Sequence, residues 1–334
     1  MAACDPFAKP ESLMDEYVKR LAHVLDVEPR YSELVSIERI PRPRERKLAI
    51  SEIDMNMLEF LGLYGCELQF VVGEKNSIMG RVMQPLNKLR YEVRFIQAAE
   101  ACLPKIDDEK LTETVLQTIE HKKQNLGKTI WNATWGTDEI AQLLSLSNGL
   151  YDPEQNKYDI TQYSHDIDYL NNAVTNLLNG DFSQDLQYIG EIQQRWQYGS
   201  HAGQLHNSGR LLISRLEDAT QILKQRTQQK PLCPQGKATN QARVLESMFF
   251  SVYIAKVQPY MANVDRSAEQ LFEPLAELAM KQRQVMPDTF QTYFNQSLEW
   301  NNEKSLWGRY QQRVKEHTEA WQELLEQCGL RPQP

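Results

Sequence analysis

The chain has 334 residues, 41% of them hydrophobic and 25% charged, with a formal net charge of −8. That length sets a prior of one large or two ordinary domains, and the apolar share excludes a disordered chain. The acidic balance gives no reason to expect a nucleic-acid partner, and no apolar run approaches the ~18 residues that a membrane-spanning helix needs.

Glycine and proline stand at 15 each, few for this length, so straight-chain helix formers dominate. Leu13, Tyr17, Leu21 and Leu25 make one stripe of a first helix, opened by Glu11 and Ser12 and ended at Glu28-Pro29. The prolines of "SIERIPRPRERKLAI" forbid continuous helix there. Its basic run, Arg39, Arg42, Arg44, Arg46 and Lys47, reads as an extended, solvated linker, or else as a docking strip for anionic headgroups. Ser51 is placed to cap a second helix through Ile53, Met57, Phe60, Leu61, Tyr64 and Leu68, and a short third covers Asn76 to Met83. "LQFVVG" is the closest approach to a strand, and its helical flanks absorb it.

Pro85 suits the first turn of a fourth helix, with Leu89, Val93 and Ile96 inward and a stop at Pro104. Asp107 or Asp108 starts a longer one through Leu111, Val115, Ile119 and Leu126 to Trp131, and a short one follows from Thr137 to Leu146. After the loop "SNGLYDPEQNKYD", helix resumes near Thr161 and stops at Asn179-Gly180. Ser183 to Gln228 lacks proline and carries Leu186, Ile189, Ile192 and Trp196 at helical steps, weakened at Gly199, Gly203 and Gly209. Asn240 to Gln284 is helical with a kink expected at Pro259, and a last helix runs from Asn301 to Gln327. The expected fold is all-α: an irregular bundle of about ten helices. A tether at 1–10 is expected to precede two helical sub-bundles, 11–147 and 159–330.

Motif chemistry is sparse. There is no HExxH, and no histidine follows a carboxylate by three residues as a di-iron bundle requires, so neither metal nor cofactor is expected. "LGKT" at 126–129 lacks the first glycine of a phosphate loop, and "GSHAG" at 199–203 has its serine one place too early for a nucleophile elbow. His201 and His206 lie about 140° apart on a helix, too far for one metal, and read as surface or cap residues. Their glycine-rich setting reads as close helix packing, and Trp131, Trp135, Trp300, Trp307 and Trp321 read as core.

Five cysteines is an odd number: Cys4, Cys66, Cys102, Cys233 and Cys328. In an oxidising compartment four can pair in three ways. The midpoint of Cys66 and Cys102 falls beside Pro85, so a helical hairpin folded there brings both thiols level. Cys233 then pairs with Cys328, pinning the end of the chain. Cys4 is left, in Ala-Ala-Cys, the close of a bacterial lipoprotein signal; the charged and apolar parts of that signal are expected upstream of the sequence.

"YGCELQFVVGEKNSIMGR" at 64–81 resembles the signature of a family of predicted lipoproteins from Gram-negative bacteria, domain of unknown function three thousand and eighty. The residues that carry the resemblance are Gly65, Cys66, Glu67, Leu68, Gln69, Glu74, Asn76, Ser77, Gly80 and Arg81. It continues through "LRYE" (89–92), "CLP" (102–104), "WNA" (131–133), "PLC" (231–233) and "QPY" (258–260). The resemblance implies no activity. It implies a lipid-anchored envelope protein acylated at Cys4. Asp5, next in the chain, resembles the sorting signal that keeps a lipoprotein on the periplasmic face of the inner membrane, with the outer membrane as the other destination. The expected partners are therefore the membrane, through the anchor, and another envelope component. Two rivals stay open: an envelope hydrolase with a site assembled from several helices, and a cytosolic helical scaffold with five free thiols.

Overall fold

The computed structural model describes residues 9–51, 53, 62–76, 82–229 and 231–330, with the backbone alone at 76 and 155–159. Among these residues there is no strand, and the fold is an all-α bundle. Its helices are α1 (Pro10–Leu25), α2 (Pro43–Arg46), α3 (Glu67–Asn76), α4 (Pro85–Cys102), α5 (Glu109–Thr134), α6 (Asp138–Leu143) and α7 (Pro153–Leu178). They continue as α8 (Leu186–Tyr198), α9 (His201–Gln229), α10 (Asn240–Met248), α11 (Gln258–Lys281), α12 (Asp288–Tyr293) and α13 (Leu306–Gln327).

Local chemistry sets most of the boundaries. Pro10, Pro43, Pro85 and Pro153 open their helices, where a missing N–H costs nothing. Side chains of Asp108, Thr137, Asp152, Asp185, Thr239 and Ser305 each accept a backbone N–H of the first turn. α1 ends earlier than Pro29, because Asp26 turns left-handed at φ 56° and its N–H closes back on Ala22 and His23. The expected second helix does not reach Leu68 unbroken: Tyr64 is 89% exposed in a turn whose Gly65 holds φ 85°, and Leu68 belongs to α3. Residues 54–61 and 77–81 of the expected second and third helices lie outside the described residues.

α9 is the central rod, packed against α1, α11 and α13. Gly203 lets it meet the end of α6, since a Cβ there would lie 1.9 Å from the Ser145 carbonyl oxygen. The glycine-rich stretch is thus close packing, and Gly199 breaks the helix between α8 and α9. One large hydrophobic core draws on α1 and on every helix from α4 to α13. A second, smaller core gathers Leu63, Leu68, Val71, Phe95, Ile96, Val115 and Ile119 between α3, α4 and α5. Residues from 11–147 and 159–330 therefore share the large core.

The kink expected at Pro259 takes the form of a π-helix, Phe249–Val257, joining α10 to α11. Proline has no N–H to donate and its ring crowds the preceding turn, and a widened turn relieves both. A helix absent from the sequence reading, α12, starts after Pro287 and runs into a second π turn at Phe294–Leu298.

Residues 27–51, which follow α1, cross the bundle as a strap. Its backbone polar groups are met by side chains rather than by a ladder. Asp218 accepts from the Ser32 N–H, Arg210 Nε donates to the Val35 carbonyl at 2.7 Å, and Ser297 Oγ donates to the Glu38 carbonyl. The Leu48 N–H donates to Asn132 Oδ1 and the Leu48 carbonyl accepts from Asn132 Nδ2, both at 2.8 Å. Arg39, Arg42, Arg44 and Lys47 are exposed as expected. Arg46 corrects the solvated reading of the run: it is fully buried and donates to the carbonyls of Pro41 and Thr137. Asn132→Ala removes both bonds to Leu48 and is expected to cost about 1–3 kcal/mol. Trypsin should then cut after Arg44 and Lys47 faster than in the parent, and an unchanged cleavage rate would show that Asn132 does not hold the strap.

Candidate functional site

α1 buries Leu13, Tyr17, Leu21 and Leu25 and turns a neighbouring row outward: Glu16, Lys19, Arg20, His23 and Val24. Facing it, α10 and the first turn of the π-helix present Val244, Ser247, Met248, Ser251 and Val252. Both rows recur at helical steps, so an open groove of about 580 Å³ runs along the two helices. Its base is aliphatic, with Val24, Met248 and Val252, and Val244 stands 57% exposed at one edge, while charged, imidazole and hydroxyl side chains make up the rest of the lining. Glu16 is held below the usual carboxylate range by the Arg20 hydrogen bond at 2.8 Å, and Lys19 stands 3.6 Å from its other oxygen. Gln241 Nε2 donates to the Val24 carbonyl at 2.8 Å, tying α10 to an orphan carbonyl at the end of α1.

A closed polar chain lies behind this groove. Thr220 Oγ1 donates to the Leu216 carbonyl, so it accepts from His317 Nδ1 at 2.9 Å, which leaves Nε2 to accept from the Tyr17 hydroxyl at 2.7 Å. Trp321 Nε1 donates to Tyr17 at 2.9 Å. All these groups are buried, and the chain joins α1, α9 and α13 with its hydrogen bonds satisfied.

Cys4 and Asp5 lie outside the described residues. The sulfur atoms of Cys66 and Cys102, and those of Cys233 and Cys328, stand at disulfide distance, with Cα separations of 5.7 and 5.1 Å. Of the family-like residues, Gly65 forms the left-handed turn before α3, Glu67 is exposed, Leu68 is buried and Gln69 is half-buried. Glu74 pairs with Arg94 at 2.8 Å. The side chain of Asn76, and Ser77, Gly80 and Arg81, lie outside the described residues. The further stretches act as ties: Arg90 bonds the Leu186 carbonyl at the start of α8, Trp131 and Asn132 hold the strap, and Tyr260 donates to Ser208.

Residues 14–332 match the family described as protein of unknown function, DUF3080. The chain belongs to that family. No curated protein and no solved structure matches the chain.

In this DUF3080 member the histidine pair of α9 is split by its surroundings. His201 is half-buried, with its ring 4.9 Å from that of Tyr163. His206 corrects the surface reading: it is 1% exposed, donates from Nε2 to the Ser297 carbonyl at 2.9 Å and stacks on Phe272. The five tryptophans read as core are buried.

A second cleft, between the end of the strap and α4–α5, holds a cluster of charge. Lys88 and Lys122 contact the two oxygens of buried Glu92 at 3.1 and 2.5 Å, and the Lys122 ammonium lies 4.4 Å from the Phe95 ring centre. Burial pushes the Lys122 pKa down, against the pull of Glu92. Ser51 and His121 meet there at 2.9 Å, a pairing that sequence separation concealed. The cleft encloses only about 10 Å³, room for one water molecule and no substrate. Among the described residues no three His, Cys, Asp or Glu side chains converge to hold a metal, and no helix is long and apolar enough to cross a membrane.

The groove residues were not singled out in the sequence. The available signal was "MFFSVYIAKV", apolar on more faces than one buried stripe can use. Phe250 is 48% exposed as a result.

Proposed function

We propose that this protein is a lipid-anchored periplasmic protein of Gram-negative bacteria that works by binding another envelope component. The observation that carries the reading is the cysteine pairing. Cys66–Cys102 and Cys233–Cys328 account for four of five cysteines, a usage suited to an oxidising compartment, and the fifth is Cys4 in Ala-Ala-Cys. Family membership adds weight, because the family resemblance implies an envelope lipoprotein. Acylation with several chains anchors stably where one chain is marginal, since each buried CH₂ contributes ~0.8 kcal/mol. Asp5 favours retention at the inner membrane.

Binding is favoured over hydrolysis by the shapes available. A roomy concavity along α1 has an aliphatic base, whereas the Ser51–His121 pair lines a space the size of one water. Expressed with its upstream signal, the protein should incorporate labelled palmitate, and Cys4→Ser should abolish the label. Equal labelling of that variant would rule out the anchor. Label that requires Cys4 but fractionates with the outer membrane would overturn only the sorting claim. Untreated Cys4→Ser protein should alkylate at no thiol, and four reactive thiols would instead point to the cytosolic scaffold.

A further inference from the structure

We infer that the groove between α1 and α10 binds the acyl chain of a fatty acid, with the carboxylate held at the α1 edge. This deepens the binding reading above and does not depend on the lipidation of Cys4. The groove's capacity, about 580 Å³, lies within the usual range of ligand sites, about 300–1,000 Å³. Its base is made of branched or flexible aliphatic side chains, Val24, Met248 and Val252, with Val244 at the outer edge. The lining rows run from Glu16 to Val24 and from Val244 to Val252, so the apolar track is about 12 Å long at 1.5 Å per residue. Methionine suits such a site because its thioether adapts to irregular occupants.

Charge is distributed on one side only. The α1 edge carries Lys19, Arg20 and His23 against the single carboxylate Glu16, whereas the α10 side of the lining offers Ser247 and Ser251 and no charge. Glu16 already contacts both Lys19 and Arg20, so an incoming carboxylate would share these cations. The net excess is positive and lies along one edge of an aliphatic track. A monocarboxylate with a long tail complements that layout. A docked amphipathic helix is the less fitting occupant, since it would need anchor pockets at its own spacing and the lining contains no aromatic pocket.

The π-helix contributes to this opening. Its first turns carry Val252 into the groove, while Phe250 stands exposed beside it. Widened turns of this kind recur at functional sites. Here the widening coincides with the wall that an acyl chain would touch.

The test uses purified full-length Cys4→Ser protein, so that the outcome is independent of the anchor. Displacement of a fluorescent fatty acid by palmitate should be saturable and one-to-one. Val244→Asp places a carboxylate on the apolar edge at an exposed position that the fold tolerates, and should weaken palmitate at least about tenfold. Lys19→Glu combined with Arg20→Glu should weaken palmitate while leaving hexadecanol, which has no charge, within about twofold. Val82→Asp, at an exposed position ahead of α4 and outside the groove lining, should change neither. No saturable binding, or equal affinity in the parent and Val244→Asp, would overturn the inference. Displacement by a synthetic amphipathic helix but not by palmitate would make the groove a peptide site and overturn it as well. The binding reading would survive that last outcome, and palmitate labelling of Cys4 tests the anchor separately.

Discussion

Lowering the pH from about 7.5 to about 4.5 is expected to cost the folded state roughly 5 kcal/mol, contributed by two buried histidines. Burial holds the His317 pKa down to about 3, and burial together with the nearby Arg210 guanidinium holds that of His206 down to about 4, despite its bond to Ser297. In the unfolded chain both return to about 6.5. The unfolded state therefore binds more protons throughout the window between 6.5 and the folded values. Stability is fully present above pH ~6.5 and falls as the pH drops toward 4 and then 3, by about 1.4 kcal/mol per pH unit for each histidine. The structural reason is plain for His317: Nδ1 already donates to Thr220 and Nε2 accepts from Tyr17, so a second proton on Nε2 displaces that bond inside the core. A loss of this size is a large share of an ordinary domain's 5–15 kcal/mol, so the urea midpoint should fall steeply below pH 6. Carboxylates remain ionised over most of this window and confound it little. His317→Gln and His206→Gln together should flatten the pH dependence even though the variant starts less stable. An unchanged urea midpoint between pH 7.5 and 5 in the parent would refute the assignment.

Breaking the second disulfide should be nearly as costly. In the chain-entropy account, a closed loop of 95 residues between Cys233 and Cys328 corresponds to about 4–5 kcal/mol, and the 36 residues between Cys66 and Cys102 to about 3–4. Cys328→Ser should thus lower global stability more than Cys102→Ser. The two bonds also differ in where the loss appears. Cys66–Cys102 closes the smaller core, which α3, α4 and α5 share, so its removal should raise amide exchange in α3 and α4 and leave α9 and α13 protected. Cys328 lies at the end of α13, where Gln327 also accepts the Leu232 N–H at 3.0 Å. Its loss should free 231–239 and the last turn of α13 while the rest of that helix stays packed on α9. Exchange that rises uniformly in both variants would contradict this division into two cores.

The α-helical character, most helix starts and the buried stripes were legible in the sequence, because each depends on residues within one or two turns of one another. Pro85 at a first turn, Asp108 and Thr137 as caps, and the row Leu13, Tyr17, Leu21 and Leu25 are local statements, and the structure repeats them. The two cysteine pairings came from counting and from the position of one hairpin. Local reasoning failed where a partner far along the chain sets the outcome. Arg46 reads as one more exposed cation until the Thr137 carbonyl buries it, and His206 reads as a surface residue until the Ser297 carbonyl and the Phe272 ring enclose it. α12 is too short for its periodicity to show, and the π-helix before Pro259 keeps an apolar composition that either helix type could carry. The groove belongs wholly to this second class. Its two walls, residues 16–24 and 244–252, carry no mark in sequence that they face each other. Direct packing of α10 and the π-helix on α1 brings them together, and periodicity reports which face of a helix is buried but not which helix lies beside it.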